Sequence, residues 1–411
     1  KSKSILHLGE TNEMKNNYSI KAESIKPSAT LVISNMANEL KERGADIISL
    51  SIGEPDFSTP EYIIDRTKEA LSEGKTKYSP VSGVSDLKKA IAWKFLTENN
   101  IKYDLNRIVV SSGAKSSLFH VFYALLNNGD EVIIPSPYWL SYPEMVELCG
   151  GKSVFVRTLP ENSYKITAKQ LSSAITPKTK CFVLNSPNNP TGVVYSKEEL
   201  EAIARVVVEN DIFVVSDEVY EKFVFNGKKH ISIASLNDDI YKKTITVNAV
   251  SKTYAMTGFR VGYIGASEEI AKIVTNVQSH TTSGATTFSQ FAAAAAIKEN
   301  NSEDKKIIEE YSERRTALLC ALSALDGVSF VEPDGAFYVM LNVSGYYGKK
   351  YDGRVIADSV DFCKELLNEG VAAVPGKPFG CDEAVRLAYT VDKSKIESAV
   401  RRIGAFLKKI S

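Results

Sequence analysis

The sequence predicts an α/β protein: a large domain built on a mainly parallel central sheet, with a smaller α+β domain beside it. Three observations predict this. Seven short apolar runs recur between about residues 105 and 266, namely RIVV, EVIIP, SVFV, CFVLN, IFVVS, TITVNAV and VGYIGA. Segments with helical periodicity lie between several of them, and buried strands alternating with helices make a parallel sheet. From about residue 310 the pattern changes to longer helices and isolated strands, and a chain of 411 residues exceeds a usual single domain.

Taken in order, the first 60 or so residues hold an N-terminal helix and the segment SIGEPDFSTP, and are expected to join the small domain. Residues 61–315 are expected to form the large domain and 316–411 the rest of the small one. SSLFHVFYALL places Leu118, Val121, Phe122 and Leu125 on one helical face, SKEELEAIARVVVEN repeats the pattern, and FAAAAAI (291–297) reads as a helix interior. KKIIEEYSERRTALLCALSAL reads as a long charged helix. VSFVEPDGAFYVMLNV reads as a hairpin with a Pro-Asp-Gly turn, followed by a helix (DSVDFCKELLNEG), two strands (VAAVPG and AVRLAYT) and a final helix.

Bulk composition narrows the function. Lys+Arg and Asp+Glu are 50 each, for a net charge of +0, so no basic excess points to nucleic acid or an anionic membrane surface. No apolar run approaches the roughly 20 residues that span a bilayer, and the polar N-terminal stretch lacks the apolar centre of a signal peptide. The 5 cysteines (Cys149, Cys181, Cys320, Cys363 and Cys381) have neither CxxC nor metal-ligand spacing and read as free thiols. A cytoplasmic location is the expectation, with no metal.

In an open α/β sheet, ligands bind beyond the carboxyl ends of the strands. RIVV is followed by SSGAK (111–115), whose small residues let backbone amides approach an anion while Lys115 adds charge. EVII leads to PSPYW, which carries Trp139; CFVLN leads to SPNNPTG (186–192), a turn with two amides. IFVVS leads to DEVY, with Asp217 and, three residues on, Tyr220; TITVNAV leads to SKTYAMTGFR, with Ser251, Lys252 and Arg260. Alone, each has a plain structural explanation: a surface lysine, a helix cap, a turn, a core aromatic. Jointly they specify a ligand with a phosphate, an aromatic ring, a ring nitrogen wanting a carboxylate and a carbonyl wanting an amine. That ligand is pyridoxal 5'-phosphate.

The motifs SIGEPDFSTP, KYSPVSG, SSGAKSSL, PSPYWLSYPEM, NSPNNPTGVVY, VSDEVYE, SKTYAMTGFRVGY, PDGAFYV and VRLAYT resemble those of class I pyridoxal-phosphate-dependent aminotransferases. The likeness is greatest to the bacterial-type aspartate aminotransferases, the branch that includes the aspartate/prephenate enzymes, and it runs from KPSAT (26–30) to the C-terminus. It implies fold type I of the pyridoxal-phosphate-dependent transferases. It implies Lys252 as the Schiff-base lysine and general acid/base, Asp217 as partner of the pyridine nitrogen, and Tyr220 and Asn189 as partners of the ring oxygen. Arg260, with Gly113, Ala114, Lys115 and more weakly Ser251, would hold the phosphate, and Trp139 would stack on the ring. Tyr78 would reach the phosphate of a neighbouring subunit, which implies a homodimer with shared active sites. Arg386 would clamp the substrate α-carboxylate, with Asn189, Trp139 and Gly53 close to it.

The same resemblance implies L-aspartate and 2-oxoglutarate as substrates, interconverted with oxaloacetate and L-glutamate by ping-pong kinetics. For the second carboxylate the sequence offers Lys115 and Lys26, with Ser28 and Thr30 nearby; SHTTSGATT (279–287) contains no arginine. Lys26 also resembles a position linked with prephenate use. Alternatives are another class I aminotransferase (aromatic or alanine), a C–S lyase on the same fold, or a cofactor-binding regulatory protein without turnover. A nicotinamide-dependent enzyme would need a GxGxxG after an early strand, and none is there.

Overall fold

The computed structural model describes residues 18, 19, 22, 23, 25, 27–299 and 302–411, except the side chains of 302–304. After the helix Ala29–Glu42 the chain enters a two-residue strand, β1 (Ile48–Ser49), and the helices Glu61–Ser72 and Ser85–Asn99. All seven apolar runs then appear as strands of one sheet. They are β2 (Ile108–Ser111), β3 (Glu131–Ser136), β4 (Lys152–Arg157), β5 (Thr179–Asn185), β6 (Phe213–Asp217), β7 (Thr244–Ala249) and β8 (Gly262–Gly265). The order is β2-β8-β7-β6-β5-β3-β4, and only β8 runs against its neighbours.

Burial explains why these strands read as continuous apolar runs. β2, β7 and β8 are buried at every position, because helices cover both faces of the sheet. β4 has only exposed and half-buried residues and carries Lys152 and Arg157 at its ends, as suits an edge. The helix Ala114–Leu125 buries Leu118, Val121, Phe122 and Leu125, the face its periodicity specifies. Ser196 and Glu199 form a reciprocal capping box at the start of Lys197–Glu209. The alanine-rich helix Thr287–Glu299 packs closely on the helices Glu61–Ser72 and Ser85–Asn99, which its small side chains permit.

Beyond the long helix Ser302–Ser323 lies an antiparallel sheet of order β14-β15-β10-β9. Its strands are β9 (Ser329–Phe330), β10 (Tyr338–Asn342), β14 (Val374–Pro375) and β15 (Ala384–Ala388). A short hairpin, β11 (Lys350–Tyr351) with β12 (Arg354–Val355), and the helices Ser359–Asn368 and Lys393–Lys409 complete this part. β13 (Val371–Ala372) pairs in parallel with β1, and Ala37 of the first helix packs with Ile47, Leu367 and Ala372.

Two sequence expectations are met only in part here. VAAVPG is not one strand: Val371 and Ala372 pair with β1, whereas Val374 and Pro375 pair with β15, so the chain changes sheets at Ala373. VSFVEPDGAFYVMLNV does form a hairpin of β9 with β10, but residues 331–337 join the strands as a longer loop and not as a Pro-Asp-Gly turn. β9 and β10 pair through Phe330 and Leu341, while the Pro-Asp-Gly stretch, with Pro333 and Gly335 buried, bonds to the other part of the chain. Gly335 N donates to Gly192 O (2.7 Å), and Phe225 N donates to Asp334 O (2.8 Å).

That stretch carries an aromatic seam between the two sheets. Phe337 lies edge-on to Tyr220 and Phe223 at 5.2 and 5.3 Å and stacks on Tyr311 at 5.4 Å. The seam fixes the start of β10 against the segment that follows the carboxyl end of β6. Among the described residues, no helix is long and apolar enough to cross a membrane.

Candidate active site

The first corner of the site is built by close backbone approach. β2 ends at Ser111, and Gly113 caps the next helix with φ 88°, where a Cβ would lie 2.4 Å from Arg260 Nη2. Gly262, which opens β8, is equally constrained: its Cβ would meet Ala114 N at 2.3 Å. Arg260 has φ 56° and turns back so that Nη1 donates to Thr257 O at 2.8 Å. The amides of Ala114 and Lys115 belong to a first helical turn, which the helix ladder leaves without acceptors. Those amides and a guanidinium together make a place for a phosphate-sized anion.

Lys115 extends from the same turn over the Trp139 ring, with Nζ 5.2 Å from its centroid. Burial, and then the charge of Arg260, pull its proton affinity down. Trp139 in turn lies edge-on to Tyr142 at 5.2 Å.

The acid sits at the end of the central strand β6. Asp217 is buried; Tyr142 Oη donates to its Oδ2 at 2.6 Å and Val219 N to its Oδ1 at 3.3 Å. Burial pushes its pKa up to about 6, against the pull of those two donors. A buried carboxylate of this kind gains from a cationic partner, such as a protonated ring nitrogen. Asn185, the last residue of β5, donates to Asp217 O (2.9 Å) and accepts from Asn189 N (2.8 Å), which fixes the SPNNPTG turn beside the acid.

Lys252 follows β7 and points into the cleft, where Nζ donates to Gly53 O at 2.7 Å. Its pKa is pulled down to about 8, chiefly by burial; the Glu54 carboxylate opposes this, and Arg386 and Arg260 add to it. Desolvation therefore outweighs the neighbouring guanidinium groups as the cause. Glu54 is held by the Thr257 hydroxyl, which donates to its carboxylate.

Arg386, on β15, closes the other side. Nη1 donates to Asn189 Oδ1 (3.1 Å) and Nη2 to Ser51 O (2.7 Å), while the buried Nε has no partner. Its guanidinium carbon lies 4.6 Å from the Tyr338 ring and 5.0 Å from that of Phe379. Buried guanidinium donors without an acceptor are costly unless a ligand takes them, and a carboxylate matches their fork.

These groups share one cavity of about 300 Å³, within the range of small-ligand sites. Gly53, Ala114, Lys115, Trp139, Asn189, Asp217, Tyr220, Ser251, Lys252, Arg260 and Arg386 all line it, with Ser28 and Thr30 at its edge. Four cations face a single lining carboxylate, so the cavity selects anions. Gly113 stands behind Arg260 at the same corner. Tyr78 is not there: it stands fully exposed on the loop between Glu61–Ser72 and Ser85–Asn99. Lys26 lies outside the described residues.

Sequence reasoning gave no role to Tyr142, Tyr338, Asn185 or Glu54. Tyr142 had a signal, since it falls three residues after Trp139, on the same face of a helical turn. The others touch the site only through the fold.

Comparison with known proteins gives the family. The model of the family described as "Aminotransferase class I and II" matches residues 45–403. An aspartate aminotransferase of Bacillus subtilis is 45% identical over 95% of this chain and 99% of its own. A probable aspartate/prephenate aminotransferase of Rhizobium leguminosarum is 44% identical over 93% of this chain and 96% of its own. Among solved structures, the aspartate aminotransferase from Thermus thermophilus with maleate superposes with a TM-score of 0.90 at 40% identity, over 95% of this chain and 99% of its own. The fold is fold type I of the pyridoxal-phosphate-dependent transferases. The chain belongs to the class I and II aminotransferase family, whose class I members use pyridoxal phosphate.

Proposed function

We propose that this protein is an aspartate aminotransferase, which moves the amino group of L-aspartate to 2-oxoglutarate and yields oxaloacetate and L-glutamate. The observation that carries the reading is the set of groups around one cavity. A lysine with a pKa of about 8 stands between an anion corner at Gly113, Ala114 and Arg260 and a buried arginine with an unpartnered donor. Relatives at 41–45% identity carry the name aspartate aminotransferase or aspartate/prephenate aminotransferase.

The donor set fits pyridoxal phosphate. Arg260, Ser251 and the amides after Gly113 would hold its phosphate, Asp217 its ring nitrogen, Tyr220 and Asn189 its ring oxygen, and Trp139 its ring face. When bound, that group supplies an aldehyde that condenses with amines and a ring that accepts electrons from the bonds of the attached carbon. The chain's own residues do the rest. Asp217, kept anionic by Tyr142 and Val219, favours a protonated ring nitrogen. Arg386 receives the substrate α-carboxylate on its free Nε edge, which fixes how the α-carbon faces Lys252. Lys252, whose pKa of about 8 leaves part of it neutral near physiological pH, takes the proton from that carbon and delivers it across the nitrogen to the former aldehyde carbon. Lys115 stands free to meet the second carboxylate, together with Ser28 and Thr30 at the cavity edge.

Tyr78, exposed on a single chain, is assigned to a second subunit's phosphate corner, which makes the active form a homodimer. Residues 1–60 with 316–411 are assigned to a small domain, 61–315 to the large one, and the protein to the cytoplasm. A secondary use of prephenate is favoured by the aspartate/prephenate names among the relatives.

The test is a steady-state assay with L-aspartate and 2-oxoglutarate varied against each other. Parallel double-reciprocal lines with equal oxaloacetate and L-glutamate are expected. No turnover with aspartate, alongside turnover of an aromatic donor or alanine, would move the assignment to another substrate.

A further inference from the structure

We propose that Tyr338 is a positioning residue that joins Arg386, the arginine for the substrate carboxylate, to Tyr220, the phenol at the cofactor's ring oxygen. The inference rests on the cofactor reading given above.

Register places Tyr338 in this role. β10 and β15 pair with Met340 opposite Arg386 and Tyr338 opposite Ala388. Positions 338 and 340 share a strand face, so Tyr338 and Arg386 are diagonal neighbours, within reach of two long side chains. The guanidinium carbon lies 4.6 Å from the Tyr338 ring centroid, a cation–π contact in a buried setting. The hydroxyl has a different duty: its oxygen lies 2.9 Å from Tyr220 Oη. It is confined there by Gly53, where a Cβ would come within 2.2 Å of the same oxygen. One side chain thus contacts the arginine by its face and the phenol by its tip, and bars any residue larger than glycine at 53.

A phenol offers one proton and two acceptor lone pairs. When the Tyr220 proton is directed at an anionic ring oxygen, the Tyr338 proton is the one that satisfies Tyr220 Oη. Each bond in such a chain strengthens the next. Tyr338 therefore sets how strongly Tyr220 donates. The charged and titratable groups facing the pair are Arg386 on β15, Asp217 at the end of β6, and Tyr389. None of these other groups takes or gives a hydrogen bond at either phenol oxygen.

The experiment is a double-mutant cycle on the pyridoxal-phosphate-loaded protein with Tyr338→Phe, Tyr220→Phe and the pair. Two readouts are taken, the pH midpoint of the visible cofactor band and the cofactor's Kd by equilibrium dialysis. Loss of the Tyr338 hydroxyl weakens Tyr220's donation, leaves the ring oxygen more basic and raises the midpoint, by about half a pH unit. In the Tyr220→Phe background the same substitution shifts nothing, because the relay is already cut. Tyr338→Phe also weakens cofactor binding by about threefold. Tyr338→Leu removes the ring as well and raises KM for L-aspartate and L-alanine alike, about tenfold. If Tyr338→Phe titrates with the parent protein, or its shift persists undiminished without the Tyr220 hydroxyl, the relay is wrong. A parent protein with no pH-dependent cofactor band would instead overturn the cofactor reading and the relay together.

Discussion

Lys252 and Gly53 meet across the cleft: the lysine Nζ donates to the glycine carbonyl at 2.7 Å, between residues 199 positions apart. The contact ties the SIGEP segment to the amine, and the amine is half stripped of water, with a pKa of about 8.

Only a neutral amine attacks an aldehyde. The neutral fraction of Lys252 falls about tenfold per pH unit below its pKa and saturates above it. The rate at which the cofactor-free protein captures pyridoxal phosphate, followed by stopped-flow absorbance, is expected to rise from pH 6 to about 8 and then level off. A rate independent of pH over that range would contradict the depressed pKa.

Lys252 should also cost the cofactor-free protein stability. Its folded pKa of about 8 lies below the ordinary 10.5, so holding the ammonium is penalised below pH 8, and the penalty fades as pH rises toward 10.5. Lys252→Met should raise the cofactor-free melting temperature at pH 7, by the equivalent of about 1–3 kcal/mol, with the gap closing near pH 10. A methionine variant that melts below its parent at pH 7 would show that the bond to Gly53 outweighs the desolvation.

Arg386 is expected to serve every amino acid equally, since all carry an α-carboxylate. Arg386→Ala should raise KM for L-aspartate and L-alanine by a similar factor, about 10- to 100-fold. Arg386→Lys should recover little, because a point charge cannot reproduce the fork. A loss confined to dicarboxylates would move Arg386 to the side-chain subsite.

Lys115 is expected to discriminate. Lys115→Met should raise KM for L-aspartate about tenfold more than for L-alanine, as befits one lost charge-assisted hydrogen bond. Equal losses on both donors would confine Lys115 to the phosphate.

Much of this was legible before the fold was known, for identifiable reasons. β2, β7 and β8 are buried on both faces, so their residues had to be apolar throughout, and the polar residues just beyond them stood out. Lys252 after β7 was singled out in that way, as were Asp217 at the end of β6 and the SPNNPTG amides after β5, whose last residues are buried too. What stayed hidden depends on distant pairing. VAAVPG looks like one strand because nothing local marks Ala373 as the point where the partner changes from β1 to β15. The Pro-Asp-Gly stretch looks like a turn because its acceptors and donors, at Phe225 and Gly192, lie far off in the chain. Tyr338 carries no local mark, and the meeting of its hydroxyl with Tyr220 separates it from core filler, as the bond to Asp217 does for Tyr142.

On the proposed function, one lysine in this cavity moves amino groups between L-aspartate and 2-oxoglutarate through bound pyridoxal phosphate. The most direct test is the visible spectrum of the pyridoxal-phosphate-loaded protein on adding L-aspartate alone, then 2-oxoglutarate, with Lys252→Ala in parallel. Aspartate is expected to convert the cofactor band to its amine form and 2-oxoglutarate to restore it, while the Lys252→Ala protein holds the cofactor but does neither. A parent band left unchanged by aspartate would contradict the substrate, and full conversion by the alanine variant would contradict the role of Lys252.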